Sequence, residues 1–330
     1  MKPFLLTAAI VGGLLAAAPA MAQNARLGYV PTEDHPVGEA SRFFAKAVAE
    51  KTNGRINIDT FGNGVLGSEP EMQASVQAGF IDIMVGPTPN LVGVVPEFMI
   101  YDLPFFYKDF DAVDAVMDGE VGEQLFAQLE KATGIVGLAW WDNGFRHMTN
   151  GIRPVNTVED MAGLNIRVIP NPLFLATWSA LGTNPTPLPW PELYSALENG
   201  AVDAQETPYA LIYTARFYEV QKHLAKTGHV YTPFVLLASQ KWFASLSDED
   251  KAAVMEAAKE SAAFQRDLSR KAAEDLEKEL EEKGFQITRP TPEALSAMTE
   301  RVAPVVAEYS EKIGTELVEK ARAAMAAVAE

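Results

Sequence analysis

Three features of the sequence predict two α/β lobes crossed by one long helix. A helix–glycine–strand unit occurs twice. Strand and helix patterns alternate along most of the chain. One stretch, Ser247 to Lys283, holds neither glycine nor proline. The 330-residue length suits two domains, and 48% hydrophobic with 22% charged residues is an ordinary globular mixture.

The repeated unit rests on spacing. Pro70-Glu71-Met72 leads through Val76 to Gly79-Phe80-Ile81-Asp82. Pro191-Glu192-Leu193 leads through Leu197 to Gly200-Ala201-Val202-Asp203. Proline and glutamate suit a first helical turn, and glycine suits the helix end, where positive φ costs little. Met72 with Val76, and Leu193 with Leu197, share one helical face. Each half therefore carries one such unit.

In chain order, the first 22 residues read as an export signal. Lys2 supplies the positive start, Phe4 to Ala18 the apolar run, and Ala20-Met21-Ala22 the cleavage pattern. The run is shorter than the roughly 20 residues a bilayer span needs. The mature chain is expected to be a soluble, freely diffusing exported protein of residues 23–330. Further strands are expected at Arg26–Val30, Ile56–Phe61, Ile135–Trp141, Asn165–Ile169 and Phe285–Thr288. They alternate with amphipathic helices such as Gly38–Thr52 and Asp111–Lys131, the pattern of largely parallel sheets. Ser247 and Asp250 form a cap, and Leu268, Ala272, Leu276 and Leu280 repeat at helical spacing. The favoured reading is one strut of about 55 Å. A last helical stretch, Pro292 to Ala329, is expected to break at Pro304 and Gly314. The predicted lobes are 23–143 with about 232–265, and 144–231 with about 266–300. Residues 301–330 form a C-terminal helical segment.

Charge and composition exclude several classes. The net charge of −17 disfavours nucleic acid and anionic membrane surfaces as partners. The absence of cysteine removes disulfides, thiolate metal sites and thiol catalysis. Gly62-Asn63-Gly64-Val65-Leu66-Gly67 matches a dinucleotide fingerprint literally, with Asp82 twenty residues on. However, Asp82 stands at the start of its strand and Pro70 cuts the expected helix short, so the segment reads as a glycine-rich turn. His35, His147, His223 and His229 form no metal or catalytic pattern and read as structural. With no nucleophile elbow either, the chain reads as a binding protein with no cofactor and no metal.

Two arginines carry the binding reading. Arg167 interrupts an apolar strand, Ile166-Arg167-Val168-Ile169, and needs a partner for its charge. That partner is an internal acid or a ligand carboxylate gripped by the guanidinium fork. Arg146 lies just past a strand in Trp140-Trp141-Asp142-Asn143-Gly144-Phe145-Arg146. Trp190, in Leu188-Pro189-Trp190-Pro191, is either core or an apolar wall for a sugar ring.

At these residues the chain resembles the solute receptors of tripartite ATP-independent periplasmic (TRAP) transporters, the DctP family. The resemblance spans the mature chain. It is most specific in Gly163-Leu164-Asn165-Ile166-Arg167-Val168, in Pro185 to Leu197, in Gly200 to Pro208 and in Phe217 to Lys222. It implies a periplasmic-binding-protein fold of type II character whose lobes close on one organic acid. It puts the carboxylate clamp on Arg167, a second ligand arginine on Arg146, the aromatic position on Trp190 and a polar position on Asn171. Thr207 stands where the family often has Asn. Glu33, Asn90, Asn171 and Thr207 are expected to read hydroxyls, and His35 is counted with them among the expected ligand-binding residues. The family's acid for sialate falls near Pro87, which disfavours sialate. Asp34-His35-Pro36 and the Arg167 to Asn171 spacing look most like receptors for hexuronates. The implied protein is a periplasmic monomer that hands solute to the small and large TRAP membrane subunits. A C4-dicarboxylate or 2-oxo acid as ligand, and an exported enzyme on sugar acids, are the alternatives.

Overall fold

The computed structural model describes residues 23–329; the predicted signal segment lies outside the described residues. The strands are β1 (Gln23–Gly28), β2 (Ile56–Phe61), β3 (Ile83–Pro87), β4 (Ile135–Phe145), β5 (His147–Asn150), β6 (Asn165–Val168), β7 (Asn184–Pro187), β8 (Ala204–Thr207), β9 (His223–Ala225), β10 (Tyr231–Ser239) and β11 (Gln286–Thr288). The helices are α1 (Pro36–Lys51), α2 (Glu69–Ala78), α3 (Phe110–Met117), α4 (Glu120–Thr133), α5 (Pro172–Ala180), α6 (Trp190–Glu198), α7 (Tyr209–Thr214), α8 (Gln240–Ser245), α9 (Asp248–Glu282), α10 (Pro292–Ile313) and α11 (Thr315–Ala327). None of them is long and apolar enough to cross a membrane.

Two sheets result, in strand order β2-β1-β3-β10-β4 and β11-β9-β5-β8-β6-β7. The repeated sequence unit explains their likeness. In the first sheet β1 pairs in parallel with β2 and β3; in the second β6 pairs in parallel with β7 and β8. An antiparallel strand follows in each, β10 beside β3 and β5 beside β8. Gly79 and Gly200 end α2 and the α6 turn with φ of 72° and 74°. The two aspartates also act alike. Asp82 accepts the Arg26 amide of β1 at 2.8 Å, and Asp203 accepts the Asn165 amide of β6 at 3.0 Å. Asp82, just before β3, thus serves the sheet, consistent with reading the glycine-rich segment as a turn. Pro185 and Pro187 sit on the edge strand β7, where a missing donor is tolerated. Pro233 sits at a register shift of β10.

The chain passes between the sheets at two strand junctions. β4 continues into β5 through Arg146 alone, and β9 reaches β10 through Lys226–Val230. The Arg146 amide donates to the Val230 carbonyl at 2.8 Å, tying the junctions together. Helix α9 is a third link. Ser247 caps it by accepting the Asp250 amide, and 35 residues follow unbroken, about 52 Å. Val254, Ala257 and Ala258 join the first sheet's core, while Leu276 and Leu280 join a cluster with Leu193, Leu224 and Phe285. Between these ends the buried stripe is polar: Ser261, Gln265 and Ser269. Gln265 accepts the Asp142 amide at 2.6 Å and donates to its carbonyl at 2.7 Å. Arg270 pairs with Asp142 and Asp114, both at 2.6 Å, over the Phe110 ring.

Two expected elements differ. The helix expected over Asp111–Lys131 is two helices, because Gly119 in extended conformation caps α4. The expected break at Pro304 does not occur; α10 runs through it and ends at Gly314. Proline removes one donor there, but Glu300 and Pro304 are exposed, so water can serve the freed carbonyl. Helix α10 packs on both the 3-10 segment Pro96–Asp102 and α5.

A polar contact joins the same two pieces. Asn171 caps α5, accepting the Leu173 amide at 2.8 Å, and its side-chain amide donates to Asp102 at 2.7 Å. Burial drives the Asp102 carboxyl up to about 8, against the lowering effect of the Asn171 bond.

Two outcomes follow from these contacts. Gln265→Ala strands a buried amide and carbonyl of Asp142, so urea unfolding should show a loss of about 2–5 kcal/mol. A loss below about 1 kcal/mol would show that water replaces both bonds. Asp102 has its folded value raised, so between about pH 4 and pH 8 the unfolded chain has released a proton that the folded chain keeps. Stability from this group is therefore lost as pH rises through that window, by at most about 1.4 kcal/mol per pH unit. Asp102→Asn copies the protonated carboxyl, so the stability of the variant relative to wild type should grow from pH 5 to pH 8. Parallel pH profiles would show that Asp102 is ionised in the fold.

Candidate functional site

Strand ends and helix starts from both sheets meet in one cleft. Pro31 follows β1, Pro87 ends β3, Ile169 and Pro170 follow β6, and Thr207 ends β8. Glu69 and Trp190 open α2 and α6. This is the side of a parallel sheet, beyond the carboxyl ends of its strands, where α/β folds bind ligands. The remaining walls are Pro70, Asn90, Asn143, Arg146, Arg167, Pro189, Leu211 and Phe234. Prolines fix much of this wall and offer no donors. The polar work falls to a few side chains. The space left between them is about 30 Å³, room for about one water.

Arg167 is the central group. β6 is an interior strand between β7 and β8; Ile166, Arg167 and Val168 are buried, and Arg167 is 2% exposed. Its Nε donates to the Leu188 carbonyl at 2.8 Å. Its Nη1 is buried with no protein acceptor. The Trp190 ring lies 5.9 Å from its guanidinium carbon. Burial lowers this guanidinium to about 10, partly opposed by the charges of Glu206 and Glu69. Thr207 Oγ1 and Asn143 Oδ1 are likewise buried without partners. One cation, one hydroxyl and one amide oxygen thus converge on the cleft with hydrogen-bonding capacity to spare.

Arg146 is placed at the cleft but differently employed. Its Nε and Nη2 grip the Glu206 carboxylate at 2.5 and 2.8 Å, and Nη2 also donates to the Glu206 carbonyl at 2.7 Å. His229 lies 3.0 Å from the same carboxylate. Burial pushes Glu206 up, but Arg146 and His229 outweigh it and hold the carboxyl below its ordinary range. Burial lowers His229, keeping it neutral. Arg146 is therefore an internally paired arginine, whose remaining nitrogen, Nη1, lies 3.5 Å from the Thr232 hydroxyl.

The other expected residues divide. Asn90, Trp190 and Thr207 line the cleft, and Trp190 also packs on Phe217 at 5.5 Å, serving as wall and core together. Glu33, His35 and Asn171 do not line it. Glu33 is held by Arg42 at 2.6 Å, by the Tyr29 hydroxyl at 2.7 Å and by the Gly62 amide at 3.0 Å. His35 caps α1 through Nδ1, and burial lowers it to about 3. Asn171 is spent on the α5 cap and Asp102. Sequence reasoning missed Asn143 and Glu69 as lining residues and Glu206 as the partner of Arg146. Glu206 and Asn143 sat beside motif residues, but only the sheet pairing shows which way they turn.

A larger cavity, about 840 Å³, lies beneath α9, and Asn143 borders both. Size does not make it the anion site: Lys108 is an exposed side chain 3.8 Å from Asp109, and the other lysine and arginines of its wall are closely paired. Lys226 and Arg289 hold Glu277, both at 2.6 Å, and Arg270 holds Asp114 and Asp142.

The model for Bacterial extracellular solute-binding protein, family 7 (DctP) matches residues 27–312. The 2,3-diketo-L-gulonate-binding periplasmic protein YiaO of Escherichia coli (strain K12) is 35% identical over 257 residues, 78% of this chain and 77% of its own. The sugar acid binding protein DctPAm of Advenella mimigardefordensis strain DPN7T, solved with galactonate, is 39% identical with a TM-score of 0.90, covering 92% of this chain and 98% of its own. A TRAP periplasmic solute binding protein of Polaromonas sp. JS666, solved with D-erythronate, is 36% identical with a TM-score of 0.88, covering 91% and 98%. With the family model spanning both sheets and these likenesses covering nearly the whole described chain, the protein belongs to the DctP family, the solute-binding proteins of TRAP transport.

Proposed function

We propose that this chain is exported to the periplasm, captures one small sugar acid between two lobes, and delivers it to the small and large membrane subunits of a TRAP transporter. The observation that carries the reading is the buried Nη1 of Arg167, a charged donor without a protein acceptor at the edge of the cleft. A ligand carboxylate supplies the missing acceptor and the missing charge together. Trp190 supplies an apolar face, and Thr207, Asn143 and Asn90 read hydroxyls. An unpaired buried group penalises any solute that lacks the matching hydroxyl. The relatives described above bind galactonate, D-erythronate and 2,3-diketo-L-gulonate, which are polar monocarboxylates. The ligand class is therefore a hexuronate or related sugar acid, with open-chain acids included.

The lobes are assigned to 23–143 with about 232–265, and to 144–231 with about 266–300. Their sheets and the junctions at Arg146 and Lys226–Val230 support this division. A cleft of about 30 Å³ is closed to a sugar acid, so the lobes part to admit one, turning about those junctions. Closure buries the carboxylate, which is costly without the guanidinium.

A thermal-shift screen of uronates, aldonates, C4-dicarboxylates and 2-oxo acids tests the reading. A ligand at 100-fold excess over its Kd adds about 2.7 kcal/mol of stability. Arg167→Lys keeps the charge but loses the fork. Calorimetry should show affinity for the best hit falling about 10- to 100-fold, the worth of a charge-assisted bond. Unchanged affinity in that variant would remove Arg167 from the clamp.

A further inference from the structure

We propose that the cavity beneath α9 is the counter-space of the solute cleft: the lobes narrow it as the cleft opens, so side chains on its walls, away from the solute, set the balance between open and closed receptor. This rests on the two-lobed receptor reading and adds to it a device that tunes affinity.

One layer of chain separates the two spaces. At the first junction Arg146 borders the cleft, while its neighbours Phe145 and His147 border the cavity. At the end of β8, Thr207 borders the cleft and Pro208 the cavity. In α7, Leu211 borders the cleft and Ala210 the cavity. The second junction gives Lys226, Thr227 and Gly228 to the cavity. The strands that pass between the sheets are thus the partition, with one space on each side. Beyond the partition the cavity has a wall in each lobe: Tyr107, Lys108 and Phe110 in the first, Pro290 and Leu295 in the second. Helix α9 covers it with Ser269, Arg270 and Ala273.

Two bodies that turn about such a partition enlarge one space as they shrink the other. The cleft here is about 30 Å³ and the cavity about 840 Å³, as expected of lobes closed over the cleft. Phe105 marks the fixed end. Its amide donates to the His229 carbonyl of the second junction at 2.7 Å, and its φ of 55° is a strained conformation for a bulky residue, held only where the surroundings impose it. Motion of the lobes therefore grows with distance from that tie.

The chemistry of the walls gives the motion a direction. Phe105, Phe110, Phe145 and Leu295 line the cavity and are only partly buried. Opening the cleft brings such surface together at the rear and removes it from water, which favours the open form of the empty receptor. Solute affinity is reduced by the fraction of empty receptor that is closed. Bulk added inside the cavity obstructs the open form, and so raises affinity without touching solute.

The test adds bulk from two walls, Leu295→Trp on α10 and Ala273→Phe on α9. Lys271→Trp, exposed on α9 and outside the cavity wall, is the control. The chain has no cysteine, so Gln77→Cys with Glu198→Cys, exposed on α2 and α6, take spin labels selectively, one in each lobe. Electron-spin distance measurements on the mature protein read the lobe separation with and without galactonate or glucuronate, and calorimetry reads affinity for both. Empty wild type should show a longer distance than the saturated protein. Both cavity variants should shift the empty receptor toward the short distance. They should bind the acid about tenfold tighter, the gain expected if about a tenth of empty wild type is closed. Lys271→Trp should match wild type. Circular dichroism establishes folding; if one cavity variant fails to fold, the other decides, and an empty wild type already at the short distance overturns the proposal without either. An unchanged distance, weaker binding in a folded cavity variant, or the same gain in Lys271→Trp would overturn it too, leaving the receptor reading intact. If neither acid binds, the sugar-acid reading fails, while the distances in the empty variants still decide whether the cavity governs closure.

Discussion

A guanidinium enclosed on an interior strand, with one of its nitrogens lacking an acceptor, is an expensive object. Burial lowers Arg167 to about 10 because the fold offers the charge too little in return. The neighbouring acids do not supply the deficit: Glu206 turns to Arg146, and Glu69 lines the cleft without bonding Arg167. The rest of the site is arranged around this deficit. The Trp190 ring lies alongside the guanidinium, prolines stiffen the walls, and buried polar atoms of Thr207 and Asn143 remain unused. A fold that kept this charge for stability alone would have paired it, because an uncompensated buried ion is destabilising.

The second constraint is mechanical. The residue that pairs with Glu206 is also the residue on which one strand leaves the first sheet and enters the second. The Arg146 backbone is bonded to Val230 of the other junction, and its side chain is bonded to β8. His229, on that other junction, reaches the same carboxylate. Both strand junctions are thus fastened to β8 by one buried carboxylate. Helix α9 adds a distant support. Gln265 reads the Asp142 peptide one residue from Asn143, and the far end of the helix rests on Leu193, Leu224 and Phe285.

Local rules made much of this fold legible. The proline and glycine spacing revealed two copies of one helix–glycine–strand unit, because both residues act through backbone geometry that does not depend on context. Ser247 announced the start of α9 for the same reason. The polar middle of that helix was not legible. Ser261, Gln265 and Ser269 resemble a solvated face until β4 is placed against them. Pro304 misled because a proline at an exposed helix position costs little when water can take the freed carbonyl.

The site divides along the same line. A charged residue inside an apolar strand sequence was enough to mark Arg167, since burying such a group demands a partner wherever the chain goes. The sequence by itself therefore determined the architecture of repeated lobes, the strut and the arginine that needs an anion. Only the tertiary structure decided which polar residues are free to serve it. Glu33 and Asn171 are spent on a surface ion pair and a helix cap, His35 caps α1 through Nδ1 while its buried Nε2 has no partner, and Arg146 is spent on Glu206. Hydrogen-bonding capacity is consumed by neighbours that pairing across sheets brings together, and no local pattern records which neighbour arrives.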